Sequence, residues 1–163
     1  MKRIDIIFII LMFLLTSVSN AQKPRFVKSR NYEGMVFINY GPYAFEYVGR
    51  EGLKHQYVPT DNEIASAEKK IEKSIMKLVS DYKRQNIYFE DRCDIPNNLF
   101  KYKRHYLGYW AKEEKIISIF LFNEGDNRGW KRKGIYIVED GGCSYIYLKY
   151  SITNDKIFSF YIN

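Results

Sequence analysis

The chain has 163 residues, with 15 Tyr and 11 Phe but only 4 Pro, and a formal net charge of +7. This aromatic load argues for an ordered, strand-rich globule and excludes a disordered chain. The cationic excess points to a class of partner only once the compartment is known.

The opening stretch, MKRIDIIFIILMFLLTSVSNAQ, has the three parts of an export signal. Lys2 and Arg3 supply the positive start, Ile6 to Leu15 the apolar run, and Ser19-Asn20-Ala21 a small-residue cleavage site. The apolar run falls short of the ~20 residues that cross a bilayer, and it ends in Thr16, Ser17 and Ser19 rather than in a basic flank. Residues 1–21 are therefore expected to be a cleaved signal peptide. No transmembrane segment would remain, and the bacterial product would be periplasmic or secreted. About 140 residues are left, enough for one domain with a real core. The charge falls by one when Lys2, Arg3 and Asp5 leave. For an exported chain it suggests an envelope or extracellular partner: a protein, a glycan or an anionic surface. Nucleic acid is disfavoured, and solubility alone accounts for the same charge.

Residues 22–31 read as a flexible basic lead-in, and 32–163 as a single α+β domain. MVFINY (35–40) and YAFEYV (43–48) flank Gly41-Pro42 and suggest an N-terminal hairpin. Thr60 with Glu63 three residues on forms a capping box. Ile64, Ala67, Ile71, Ile75, Leu78, Val79 and Tyr82 then recur at helical spacing, which predicts one amphipathic helix over 61–84. A connector, 84–100, contains Cys93. From Lys101 onward, 101–110, 115–122, 134–140, 143–151 and 156–162 alternate as five strands. Their short connections require antiparallel neighbours, hence a meander. The expected architecture is one long helix on a curled antiparallel sheet.

Alternation also assigns faces. It sets Ile117, Ile119, Leu121, Ile146, Leu148 and Tyr150 on an aliphatic face under the helix. The opposite face is expected to be rich in tyrosine, with Tyr102, Arg104, Tyr106, Tyr145, Tyr147 and Lys149 as candidate binding residues. Such a face serves as a stacking platform for sugars or peptides, or it is covered by residues 32–57 or a dimer partner. Trp130, Lys131, Arg132 and Lys133 form the densest basic-aromatic cluster, a candidate polyanion contact or ordinary strand-entry polarity.

A long helix followed by a curled antiparallel sheet resembles the cystatin-like and NTF2-like α+β folds. The strings YVPTDNEIASAEK, KYKRHYLGYW and WKRKGIYIVEDGGCSYIYLKYSITNDKIFSFYIN are similar to small exported proteins of Bacteroidota type. The resemblance covers roughly 57–163. It implies an envelope location and a shared fold, and it carries over no activity or catalytic residue.

Chemistry-bearing groups are sparse. Cys143 follows two glycines that suit a two-residue hairpin turn. It opens a predicted strand, with no helix dipole and no histidine on its face to activate it, since His105 is assigned to the other side. His55 falls in a loop. Cys93 and Cys143 lack zinc-site spacing, and an exported chain with two cysteines is expected to pair them. Glu90-Asp91, Glu113-Glu114 and Glu139-Asp140 make no placed acid pair. Residues 123–130 lack the alternating ligands of a calcium loop. No catalytic residue, metal ligand or cofactor is assigned. The expected function is that of a non-enzymatic binding or interaction protein using the tyrosine face and the 130–133 loop. The alternatives are a small hydrolase- or isomerase-like enzyme with a cone-shaped pocket, and an inhibitor or immunity-type protein.

Overall fold

The computed structural model describes residues 23–38, 40, 44–86, 94–126, 129–132, 138 and 141–163. The signal segment 1–21 lies outside the described residues. So do Cys93, Lys133 and most of the expected strand 134–140. Among the described residues no helix is long and apolar enough to cross a membrane.

Seven strands form one open mixed sheet, and the fold is α+β. β1 (Arg25–Lys28) and β2 (Glu33–Phe37) are an antiparallel hairpin. The lead-in expected to be flexible thus contributes an edge strand, held at Arg25 by Asp61 and by the Pro59 carbonyl. α1 spans Phe45–Lys54, β3 Gln56–Tyr57, α2 Asp61–Gln85 and the short α3 Ile95–Asn98. β4 (Lys103–Ala111), β5 (Glu114–Phe122), β6 (Tyr145–Ser151) and β7 (Lys156–Ile162) complete the chain.

Four of the five strands expected of the meander are described, as β4-β5-β6-β7, each pair antiparallel. β5 pairs directly with β6, not with the expected fifth strand, most of which lies outside the described residues. The expectation of a wholly antiparallel sheet does not hold, because β2 runs parallel to β4 along Lys103 to Leu107. β5 fills the other side of β4 for its whole length. β2 and the two-residue β3, which pairs antiparallel with Gly108 and Tyr109, therefore share one lane in succession.

The second half of the expected hairpin is a helix. YAFEYV looks like alternation over a few residues, but the buried positions are Ala44, Val48 and Gly52, a four-residue step continued past the window. α1 is kinked at Gly49, where φ is 71°.

α2 forms as its sequence dictates. Thr60 Oγ1 accepts from the Glu63 amide, and the Glu63 carboxylate accepts from the Thr60 amide at 2.8 Å. Ile64, Ala67, Ile71, Ile75 and Val79 are buried against Tyr106, Ile117, Ile119, Ile146 and Leu148. On the other face α1 and the residues before it bring Tyr40, Ala44 and Val48 onto Leu107, Tyr109, Ile116 and Phe120. One helix thus covers each face of the sheet.

Candidate functional site

The β4 residues chosen as binding candidates belong to the opposite side of the sheet from the one assigned to them. Arg104 pairs in register with Leu121 and Ile146, and Tyr106 with Ile119 and Leu148. These are aliphatic-face positions, so Tyr102, Arg104 and Tyr106 point toward α2 and are buried. Charge and tyrosine content favoured the other face. Strand parity decides, and a one-residue shift exchanges the two sides.

The guanidinium of Arg104, 0% exposed, meets a partner no expectation included: Glu68 of α2, 6% exposed. Nε and one terminal nitrogen donate to the two carboxylate oxygens, each at 3.3 Å. The Tyr106 hydroxyl donates to Glu68 Oε1 at 2.8 Å, and a second Arg104 nitrogen donates to the Tyr102 carbonyl. Burial and the Glu68 charge push the Tyr106 hydroxyl far above its ordinary pKa, so it stays a neutral donor. Gly34 on β2 makes room for this, since a Cβ there would lie 2.6 Å from the Tyr106 ring. Glu68 carried a signal in the sequence: it sits four residues after Ile64 and three before Ile71, inside the apolar stripe. A groove of about 590 Å³ opens above the pair, between the β1–β2 turn at Tyr32, α2 and Phe100.

His105 also changes side. It is in register with Phe120 and Tyr147, on the face covered by α1. There it packs edge-on to Phe37 and Phe122, and Nε2 donates to the Trp130 carbonyl at 3.0 Å. Burial lowers its pKa to about 4. The ring is neutral and serves as an aromatic wedge in the core. Among the described residues its ring neighbours are Phe37, Phe122 and Trp130.

Trp130 is buried between Phe26, His105 and Phe122, and is therefore not an exposed contact. Lys131 and Arg132 are exposed, and Lys131 Nζ lies 4.6 Å above the Phe26 ring. Lys133 lies outside the described residues.

The tyrosine face proper is only partly open. Tyr47 of α1 packs on Phe120 and Tyr147, and the Tyr147 hydroxyl donates to the Tyr47 carbonyl at 2.6 Å. Tyr145 is half-buried in the same cluster. Beyond α1, Lys149 lies 5.7 Å from the Tyr147 ring, and partial burial lowers its pKa. Tyr161, paired with Tyr147 across the β6–β7 ladder, is 53% exposed. Sequence reasoning missed a further residue here. The β6–β7 register slips between Lys149 and Tyr150, leaving Phe158 as the extra residue of a β-bulge, 45% exposed.

Cys143 does not open a strand. It lies in a 3₁₀ turn, Gly142–Ser144, and only Gly142 of the two glycines has positive φ, at 52°. The expected step from a two-residue turn straight into a strand is thus replaced by a 3₁₀ turn before β6. Cys143 is not a free thiol, and its carbonyl accepts from the Tyr102 hydroxyl at 2.6 Å. Its expected partner, Cys93, lies outside the described residues. Among the described residues, no cluster of His, Cys, Asp or Glu has the makings of a metal site.

Replacing Arg104 by Met leaves the Glu68 charge buried without its partner. It should cost about 3–5 kcal/mol in denaturant unfolding, much of which returns in Arg104→Met/Glu68→Leu. A double variant no more stable than the single one would show that the pair is not the coupling unit. For His105, the unfolded chain binds a proton near pH 6.5 and the folded chain only near pH 4. Stability is then full above pH 6.5 and falls by about 3 kcal/mol as pH drops to 4. His105→Phe should flatten that part of the profile, and a slope unchanged from the parent would contradict the assignment.

In comparisons with protein-family models, curated proteins and solved structures, no match to this chain is found.

Proposed function

We propose that this is an exported, non-enzymatic interaction protein that docks a partner on the aromatic surface at the β6–β7 edge. The observation that carries it is the incomplete cover of the second sheet face. α1 buries the half around Phe120 and ends its contact at Tyr147. Lys149 on β6 and Tyr161 and the bulged Phe158 on β7 are left outside that contact, at the sheet margin. Exposed aromatic rings around a cation make a favourable contact area at low conformational cost. A protein partner suits them because β7 also presents an unpaired strand edge among the described residues. The enzyme reading has less support: His105 is walled by aromatic rings, and Glu68 is tied to Arg104 and Tyr106. The cystatin-like or NTF2-like likeness is compatible with α2 lying across the β4–β7 meander, and it adds no activity.

Export would make a Cys93–Cys143 disulfide the natural state. Ile95, two residues after Cys93, is fully buried in the same cluster against which Cys143 packs. Such a bond would close a loop of about fifty residues and stabilise by up to roughly 4 kcal/mol.

Two measurements address these readings. Capture from envelope extract should recover a partner with the native protein and lose it with Phe158→Ser/Tyr161→Ser, two exposed changes that leave α1 packed. Equal capture by both would move the interface elsewhere. Thiol titration of the unfolded, unreduced protein should find no reactive cysteine, and two titrating thiols would rule out the bond.

A further inference from the structure

At the far end of β4 from the Glu68 network, a pocket of about 540 Å³ lies between the end of α1 and the β4–β5 turn. Its lining is Glu51, Lys54, His55, Gln56, Trp110 and Lys112. We infer that this pocket binds one acidic pyranose unit of a glycan, with Trp110 as the stacking platform and Gln56 and Lys112 as the polar contacts. The inference is independent of the β6–β7 surface.

Three features converge on it. First, Trp110 is 40% exposed, although Lys115 lies 5.7 Å from its ring and Tyr57 packs at 6.2 Å. Its backbone is fixed as well, the amide donating to the His55 carbonyl at 2.8 Å. A positioned indole beside an open pocket is the group that stacks on the C–H face of a sugar ring.

Second, the Gln56 side-chain oxygen is buried and accepts no hydrogen bond. The amide cannot be turned to cure this, because its nitrogen already donates to the Leu53 carbonyl at 3.0 Å. A buried acceptor without a donor costs free energy, so Gln56, which lines the pocket, gains when a small side-chain shift brings its oxygen to a ligand donor there. A sugar hydroxyl supplies one.

Third, Lys112 holds φ at 57° in the tight β4–β5 turn, although a lysine pays for the left-handed region and glycine does not. Backbone strain of this kind gathers where a side chain is wanted for function. Lys54 and His55 both lie against Glu51, at 3.5 and 3.8 Å, whereas Lys112 makes no ion pair among the described residues. One uncompensated cation beside an aromatic platform selects a sugar with a carboxylate over a neutral one. The volume falls in the usual range for small-molecule sites, about 300–1,000 Å³.

The test titrates the purified protein with a hexamer of galacturonate and with maltohexaose, read by calorimetry and tryptophan fluorescence. The galacturonate hexamer should bind with Kd below about 1 mM, and Trp110→Ala and Gln56→Leu should each weaken it about tenfold. Lys112→Gly should weaken it several-fold and raise the denaturant midpoint, because glycine relieves the turn. No binding by the parent protein, or binding unchanged in Trp110→Ala, overturns the site. Equal affinity for the neutral hexamer overturns the role of Lys112. Circular dichroism on each variant separates lost binding from lost fold.

Discussion

The ion pair between Glu68 and Arg104 is the contact on which the placement of α2 depends. Aliphatic side chains hold a helix against a sheet, but they tolerate sliding and rotation. A carboxylate caught by a guanidinium and a tyrosine hydroxyl tolerates neither, since any shift leaves a buried charge unpaired. The network joins the first half of α2 to the first half of β4, and β4 is the strand that β2, β3 and β5 all pair with. Fixing that one strand against the helix fixes the register of everything else. The groove above the pair inherits its walls from the same anchoring.

The two sides of the sheet are built on different chemistry. Toward α2 the core is aliphatic apart from the ionic network and its tyrosines. Toward α1 it is aromatic, with His105 serving as one more ring among Phe37, Phe122 and Trp130. Aromatic rings are rigid, and a helix of ten residues can cover only a limited area of them. The uncovered rings at β6 and β7 follow from that shortfall in length. Trp110 is different: it stands at the end of its strand, outside both cores.

Helical spacing was read correctly, and strand parity was read correctly in β5 and β6 but wrongly in β4. α2 was legible to within a residue, because its capping box and its stripe are both written in consecutive turns. The β4–β5 and β6–β7 pairings were legible because their short connections leave those strands no other neighbour. The parallel pairing of β2 with β4 was not, since partners some seventy residues apart share no local mark. β4 was found, but its faces were exchanged: a strand carrying Tyr, Arg and His has no apolar side to declare. Glu68 was legible in principle, as an acid inside an apolar stripe. The orphaned Gln56 oxygen and the strained Lys112 were not, because they exist only once α1, β3 and the turn are assembled.

The bulge at Phe158 has an effect beyond exposing one ring. A straight, flat margin at β7 would offer a continuous row of backbone donors and acceptors to any passing strand. The extra residue breaks that row midway, twisting the strand on either side of it. Lys156 at the strand's start adds a charge that a second copy would have to bury against its own. The irregularity thus limits how far a pairing strand can extend along this margin. Side-chain recognition is favoured there over open-ended stacking of sheets.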